Sequence, residues 1–339
     1  MDLSKANIPV IDISPSNPNA PEQLLSAASK YGFVFIKNSP ETGIPPQDIA
    51  KMFQLSREFF AAPVEVKQQV SIGSNKAGKN HGWLSQGIEK LDPKTQKRAD
   101  VKEYVRLNSL QHMISIIYIF GQRAKKLTSG YNRAFNMGEP LPNNTLDQPL
   151  PTPLAPHQQT IVTFQNHCHA LCQRIFTHLA TALATPPDWF TTRHDRSRGP
   201  SGTVFRMLYY PAVSTQDGGE NGHDTTDLRA GAHSDFGSLT LLFQLPGQPG
   251  LEIKTPEGEW ASVPVDPSGG NDHDTDVASL PILLNIGDLL EDVSLALHLL
   301  PIPPSPKKTT PPSKKNSKAK QIKQLTKPPM KQKSGHPTS

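Results

Sequence analysis

Two side chains one residue apart carry the clearest chemical signal in this sequence. In RAGAHSDFGSLTLLFQ, residues 229–244, His233 and Asp235 are both metal-capable. If residues 231–235 are extended, strand alternation places the two on one face. An imidazole and a carboxylate so placed are two of the three donors of the facial triad that holds non-haem Fe(II). A second group competes with them: His167, Cys168, His169, Cys172 and His178 fall in one helix-prone stretch. Its two cysteines lie a single helical turn apart and no second ligand pair follows, so the group reads as helix core, not as a metal site.

The elements that must position His233 and Asp235 are legible on both sides of them. Residues 8–15 (IPVIDISP) read as a short strand, 21–30 as a helix and 31–37 (YGFVFIK) as a buried strand. Residues 47–60 form an amphipathic helix with Ile49, Met52, Phe53, Leu55, Phe59 and Phe60 on its apolar side. Helical character continues over 63–70, and 80–88 is a Gly-punctuated loop in which Trp83 either lines a pocket or packs. Residues 160–184 make the longest helix candidate, stopped by Pro186 and Pro187.

From residue 203 the pattern turns to strands: VFRMLYYP, the apolar run 238–243 behind the His-x-Asp pair, GLEIKT, ASVPV after the turn PEGEW, and PILLNIGD. Strands at this spacing, punctuated by Gly and Pro, indicate a sandwich or jelly roll. The fold class is therefore α+β, a helical N-terminal region packed on an antiparallel C-terminal half.

Composition narrows the function. The net charge of +5 is uneven, because residues 301–339 hold ten lysines and no acidic residue. Without those ten, 25 basic residues face 30 acidic ones, so the body is mildly acidic and gives no reason to expect nucleic acid as a partner. Two cysteines suggest no disulfide framework. With no apolar signal region or bilayer-length apolar run, the expectation is a soluble, monomeric, cytoplasmic protein without a membrane partner.

Several blocks in order, IPVIDIS, GFVFIKN, LSREFFAAPVEVK, RMLYYP, RAGAHSDFGSLTLLFQ and LLNIGDLLE, resemble the iron(II)/2-oxoglutarate-dependent dioxygenases of the isopenicillin N synthase-like superfamily. The resemblance covers about residues 8–291. It implies a double-stranded β-helix (jelly roll), Fe(II) held by His233 and Asp235, and 2-oxoglutarate as cosubstrate with its carboxylate bonded by Tyr210. It further implies O2 and a small organic substrate that is hydroxylated, desaturated or cyclised. The donor types suit that chemistry, since imidazole and carboxylate favour Fe(II) and leave positions open.

Two segments depart from the pattern. Residues 104–133 interrupt it with the uniformly apolar run 114–120, which shows no strand alternation and no evident partner. Past Glu291 the family continues with a distal ligand His and an Arg-x-Ser strand whose Arg pairs with 2-oxoglutarate. Here no Arg follows Gly287, and His298 is the candidate nearest the expected place for a third ligand. The jelly roll is thus expected to lack its last strands, leaving sheet edges unpaired. The keto acid, without a bidentate Arg, is expected to bind weakly. Both segments are consistent with translated introns or with a genuine insertion and a disordered Lys/Pro-rich tail.

The expected organisation is an N-terminal region over 1–139, a Pro-rich loop and long helix over 140–200, a truncated catalytic core over 201–292 and a tail over 293–339. Three functional classes follow: an active dioxygenase, a catalytically impaired protein of the same fold, and a nucleic-acid binder resting on the tail alone.

Overall fold

The computed structural model describes residues 4–74, 81–84, 114–122, 133–199, 201–211, 233–269 and 280–299. In chain order its elements are β1 (Val10–Ile11), α1 (Ala20–Tyr31), β2 (Phe33–Ile36), α2 (Pro46–Ala61), α3 (Val64–Gln68), β3 (Gly82–Leu84), β4 (Ile114–Gln122) and β5 (Arg133–Gly138). Then follow α4 (Gln158–Ala182), β6 (Val204–Pro211), β7 (Leu239–Phe243), β8 (Glu252–Lys254), β9 (Trp260–Ser262), β10 (Ile282–Ile286) and α5 (Asp288–Leu299). The α+β class and the main helices agree with the sequence reading. Trp83 packs into the core from β3, so part of the expected 80–88 loop is a strand.

Among the described residues, eight strands form one sheet in the order β1-β2-β10-β7-β4-β6-β5-β3, and β8 pairs with β9 in a hairpin. Alternate residues of the central strands feed two cores. Val34, Ile36, Leu241, Phe243, Ile282 and Leu284 join the larger core with α2 and α4, whereas Phe35, Leu242 and Leu283 join Ile253, Ala261 and Val263 of the hairpin side. This is the two-residue period of strands buried on both faces. On the helical face, Phe164 of α4 packs against Phe205 of β6 and Phe243 of β7, each with ring centroids 5.6 Å apart. Burying one such ring stabilises by roughly 1.5–3 kcal/mol, so Phe164 ties the helix layer to both strands. The hairpin turn needs Gly258, whose φ of +88° disfavours other residues.

The apolar run 114–120 has a partner after all. Strand β4 lies between β6 and β7 and runs parallel to both, with Ile116 opposite Phe205 on one side and Leu241 on the other. Parallel pairing to two neighbours is the setting in which near-continuous apolar strands occur, in place of alternating ones. It leaves β6 and β7 pointing the same way, whereas β7·β10, β10·β2 and β5·β6 are antiparallel. Within the described residues the edges of the large sheet are the short strands β1 and β3, a common protection against edge pairing.

After β10 the chain turns directly into α5, which runs to Leu299, so residues 293–299 are helical where an irregular segment was expected. Leucine and alanine are good helix formers, and Asp288 and Glu291 in the first turn suit the positive helix N-terminus.

Candidate metal centre

His233 and Asp235 do not sit in a strand. Residues 233–235 are irregular, 236–238 bend, and β7 begins only at Leu239. The backbone groups of this segment are engaged elsewhere: the Asp288 N–H donates to the Asp235 carbonyl at 2.8 Å, and the Gly287 N–H to Ser238 O at 3.1 Å. With those bonds made to the β10–α5 turn, a regular ladder is not formed there. The pair nevertheless converges, His233 Nε2 lying 3.8 Å from Asp235 Oδ1. His233 is about one-third exposed and Asp235 mostly buried, so the imidazole faces the open side of the site.

The carboxylate is held from behind. Thr240 Oγ1 donates to Asp235 Oδ2 at 2.8 Å and Asn285 Nδ2 donates to the same oxygen at 2.7 Å. Thr240 and Asn285 are directly opposed across β7 and β10. By strand alternation both point to the hairpin face, with Leu242 and Leu283. The loop is fixed at two more points. Ser234 Oγ donates to Asp288 Oδ2 at 2.9 Å. Ser238 Oγ meets His194 Nε2 at 2.8 Å, while His194 Nδ1 lies 2.8 Å from Phe190 O and its ring stacks on Phe176. Gly287 leaves no room for a side chain, since a Cβ there would overlap the Gly237 carbonyl.

Next to this loop lies a half-buried polar cluster built on α4, β5 and the turns after α4. Arg196 pairs with Glu139 at 3.4 Å and donates to Asn166 at 2.8 Å. Gln173 links His169 to the His194 carbonyl. Burial, helped by the Arg196 charge, pushes the His169 imidazole down to about 4. The helix cysteines behave as core: burial raises both thiols, Cys172 to about 12. His167 pairs with Asp48 at 2.9 Å and His178 with the Ile13 carbonyl at 3.3 Å. Among the described residues no group of three His, Cys, Asp or Glu side chains assembles as a metal site.

Two family models match this chain. The family model for the non-haem dioxygenase in morphine synthesis N-terminal region matches residues 8–116, and that for the 2OG-Fe(II) oxygenase superfamily matches 201–294. A Schizosaccharomyces pombe UPF0676 protein is 32% identical over 295 residues, covering 85% of this chain and 73% of the relative. This chain belongs to the 2-oxoglutarate/Fe(II) oxygenase superfamily.

A homoarginine-6-hydroxylase of Glycine max is 25% identical, with 86% of this oxygenase and 78% of the relative covered. A full-length Neurospora crassa protein, solved in complex with alpha-KG and thymine, shares the fold at a TM-score of 0.57 and 24% identity, covering 84% of this chain and 74% of that one. The family makes the protein an oxidoreductase that uses Fe(II), 2-oxoglutarate and O2 on a small-molecule substrate. It does not favour the catalytically impaired alternative. No described helix is long and apolar enough to cross a membrane.

The expected site residues divide three ways. His233 and Asp235 come together. Tyr210 lies on β6, its backbone opposite Gly121, and the role expected of its side chain falls outside the described residues. The backbone of α5 carries His298, whose side chain likewise lies outside them. Sequence reasoning missed Thr240, Asn285, Ser238 and His194. The first two had a weak signal, each being the polar residue in an otherwise apolar strand, LTLLF and ILLNI.

Proposed function

We propose that His233 and Asp235 hold the catalytic Fe(II), that Tyr210 binds the 2-oxoglutarate carboxylate, and that the protein oxidises a small organic molecule as a cytoplasmic monomer without nucleic acid. The donor set supports this reading. A carboxylate and an imidazole converge at 3.8 Å, and Asp235 is anchored through one oxygen while the other turns to the imidazole. Hard oxygen and imidazole nitrogen donors together suit Fe(II). When bound, Fe(II) and 2-oxoglutarate supply O2 activation. A hydroxylation then balances as substrate C–H plus 2-oxoglutarate plus O2 giving C–OH, succinate and CO2.

The chain's own part is positional. The β7–β10 pair fixes the carboxylate and the imidazole is one-third exposed. Relatives named as homoarginine and proline hydroxylases make free amino acids a sensible first substrate panel. The reading is tested by succinate formation from 2-oxoglutarate with Fe(II) and that panel. Wild type is expected to turn over and His233→Ala to lose activity. Turnover unchanged by His233→Ala overturns the assignment.

A further inference from the structure

We infer that His194 is a positioning residue that holds the metal-bearing loop, residues 233–238, in place through Ser238. The inference rests on the metal assignment of His233 and Asp235 and adds to it a residue 44 positions before Ser238. Both ring nitrogens of His194 are engaged. Nδ1 lies 2.8 Å from the Phe190 carbonyl, and Nε2 lies 2.8 Å from Ser238 Oγ. A carbonyl only accepts, so Nδ1 carries a proton. The serine hydroxyl donates to a neutral imidazole and accepts from a charged one, so the bond to the loop forms in either state.

The imidazole is itself held before it reaches the loop. It ends a 3-10 turn, Thr191–His194, in which the His194 N–H donates to Phe190 O at 3.1 Å. Gln173 Nε2 of α4 donates to the His194 carbonyl at 3.3 Å, and the ring stacks on Phe176 of α4 with centroids 4.1 Å apart. Ser238, which receives this hold, is buried, follows Asp235 by three residues and immediately precedes β7. Its carbonyl accepts the Gly287 N–H at 3.1 Å. One residue thus ties the loop to the helix layer by its side chain and to the β10–α5 turn by its backbone. Cohesion alone does not call for a polar pair here. Phe176 and Phe190 beside it are buried, and Phe164 already joins α4 to β6 and β7. An apolar side chain at 194 would pack without desolvating two polar groups. What the hydrogen bond adds is direction, because a satisfied buried polar pair specifies one arrangement. Direction matters for a loop that carries metal donors, since a displacement of about 1 Å can cost about 100-fold in rate.

Mn(II) binding to the full-length, metal-stripped protein tests the role, free Mn(II) being read by its EPR signal. His194→Phe keeps the stacking and loses both nitrogens, and Ser238→Ala loses the hydroxyl. Each is expected to weaken Mn(II) binding by about 10-fold, the lower end of what groups supporting a metal site contribute. Because the two residues act through one bond, the double variant His194→Phe/Ser238→Ala should bind no more weakly than the single ones. A glutamine amide reaches about as far as Nε2, so His194→Gln should recover most of the affinity. Thermal melts of the metal-free variants identify any that fail to fold, and Ser238→Ala, which removes a single oxygen, carries the test if His194→Phe is one of them. Wild-type affinity in folded His194→Phe and Ser238→Ala, with affinity lost in His233→Ala, would overturn the positioning role and leave His194 a packing residue. So would single losses that multiply in the double variant, or a His194→Gln variant as weak as His194→Phe. Equal binding by wild type and His233→Ala would instead bring down the metal assignment, and the positioning role with it.

Discussion

His169 shows how a single half-buried residue makes the stability of this fold depend on pH. Burial, with the Arg196 charge next in weight, lowers its imidazole from the ordinary 6.5 to about 4. The unfolded chain therefore takes up a proton near pH 6.5 that the folded chain refuses until about pH 4. Between those values the unfolded state binds more protons, so stability rises with pH across the window. It is complete above about 6.5 and lost as pH falls toward 4, by an amount on the order of 3 kcal/mol. Urea unfolding midpoints from pH 4.5 to 7.5 should fall on the acid side, and His169→Gln should flatten that slope. An unchanged slope in the variant would show that the imidazole is not the group involved. At this scale the sequence was half legible: His233 and Asp235 stood out by type and spacing, whereas His169 and His194 looked like any helix or loop histidine. Their roles depend on Arg196, Ser238 and Phe190, which come from other parts of the chain.

Elements position the site through two contacts that single substitutions can break. Strand β4 supplies the only described connection between β6 and β7, so Ile117→Pro removes an N–H from the middle of the ladder. The expected cost is at least about 2 kcal/mol of unfolding free energy, read by urea denaturation. Wild-type stability in Ile117→Pro would mean that the strand does not hold the sheet together. Gly287→Ala places a Cβ against the Gly237 carbonyl and close to that of Asp235. It should cost about 1–3 kcal/mol by overpacking and weaken Mn(II) binding as the loop shifts. Unchanged stability and binding would show that the β10–α5 turn yields freely. The helices were legible because their apolar residues repeat at helical spacing: the six named for residues 47–60 are all buried in α2. Strand β4 was not, since a continuous apolar run becomes a strand only once its parallel neighbours are known.

At the largest scale the described residues join a helix layer, a large sheet and a hairpin, and the candidate centre sits where the sheet meets the α5 turn. Family and fold class were legible because several blocks recur in order. The pairing order was not, because β4, β6 and β7 are neighbours only in space. The central claim is that His233 and Asp235 hold an Fe(II) ion to which 2-oxoglutarate binds. Anaerobic titration of the full chain with Fe(II) and then 2-oxoglutarate tests it through the visible charge-transfer band of the chelate. The band should grow in as 2-oxoglutarate is added and vanish in His233→Ala. No band at any concentration, or one that survives His233→Ala, would contradict the account.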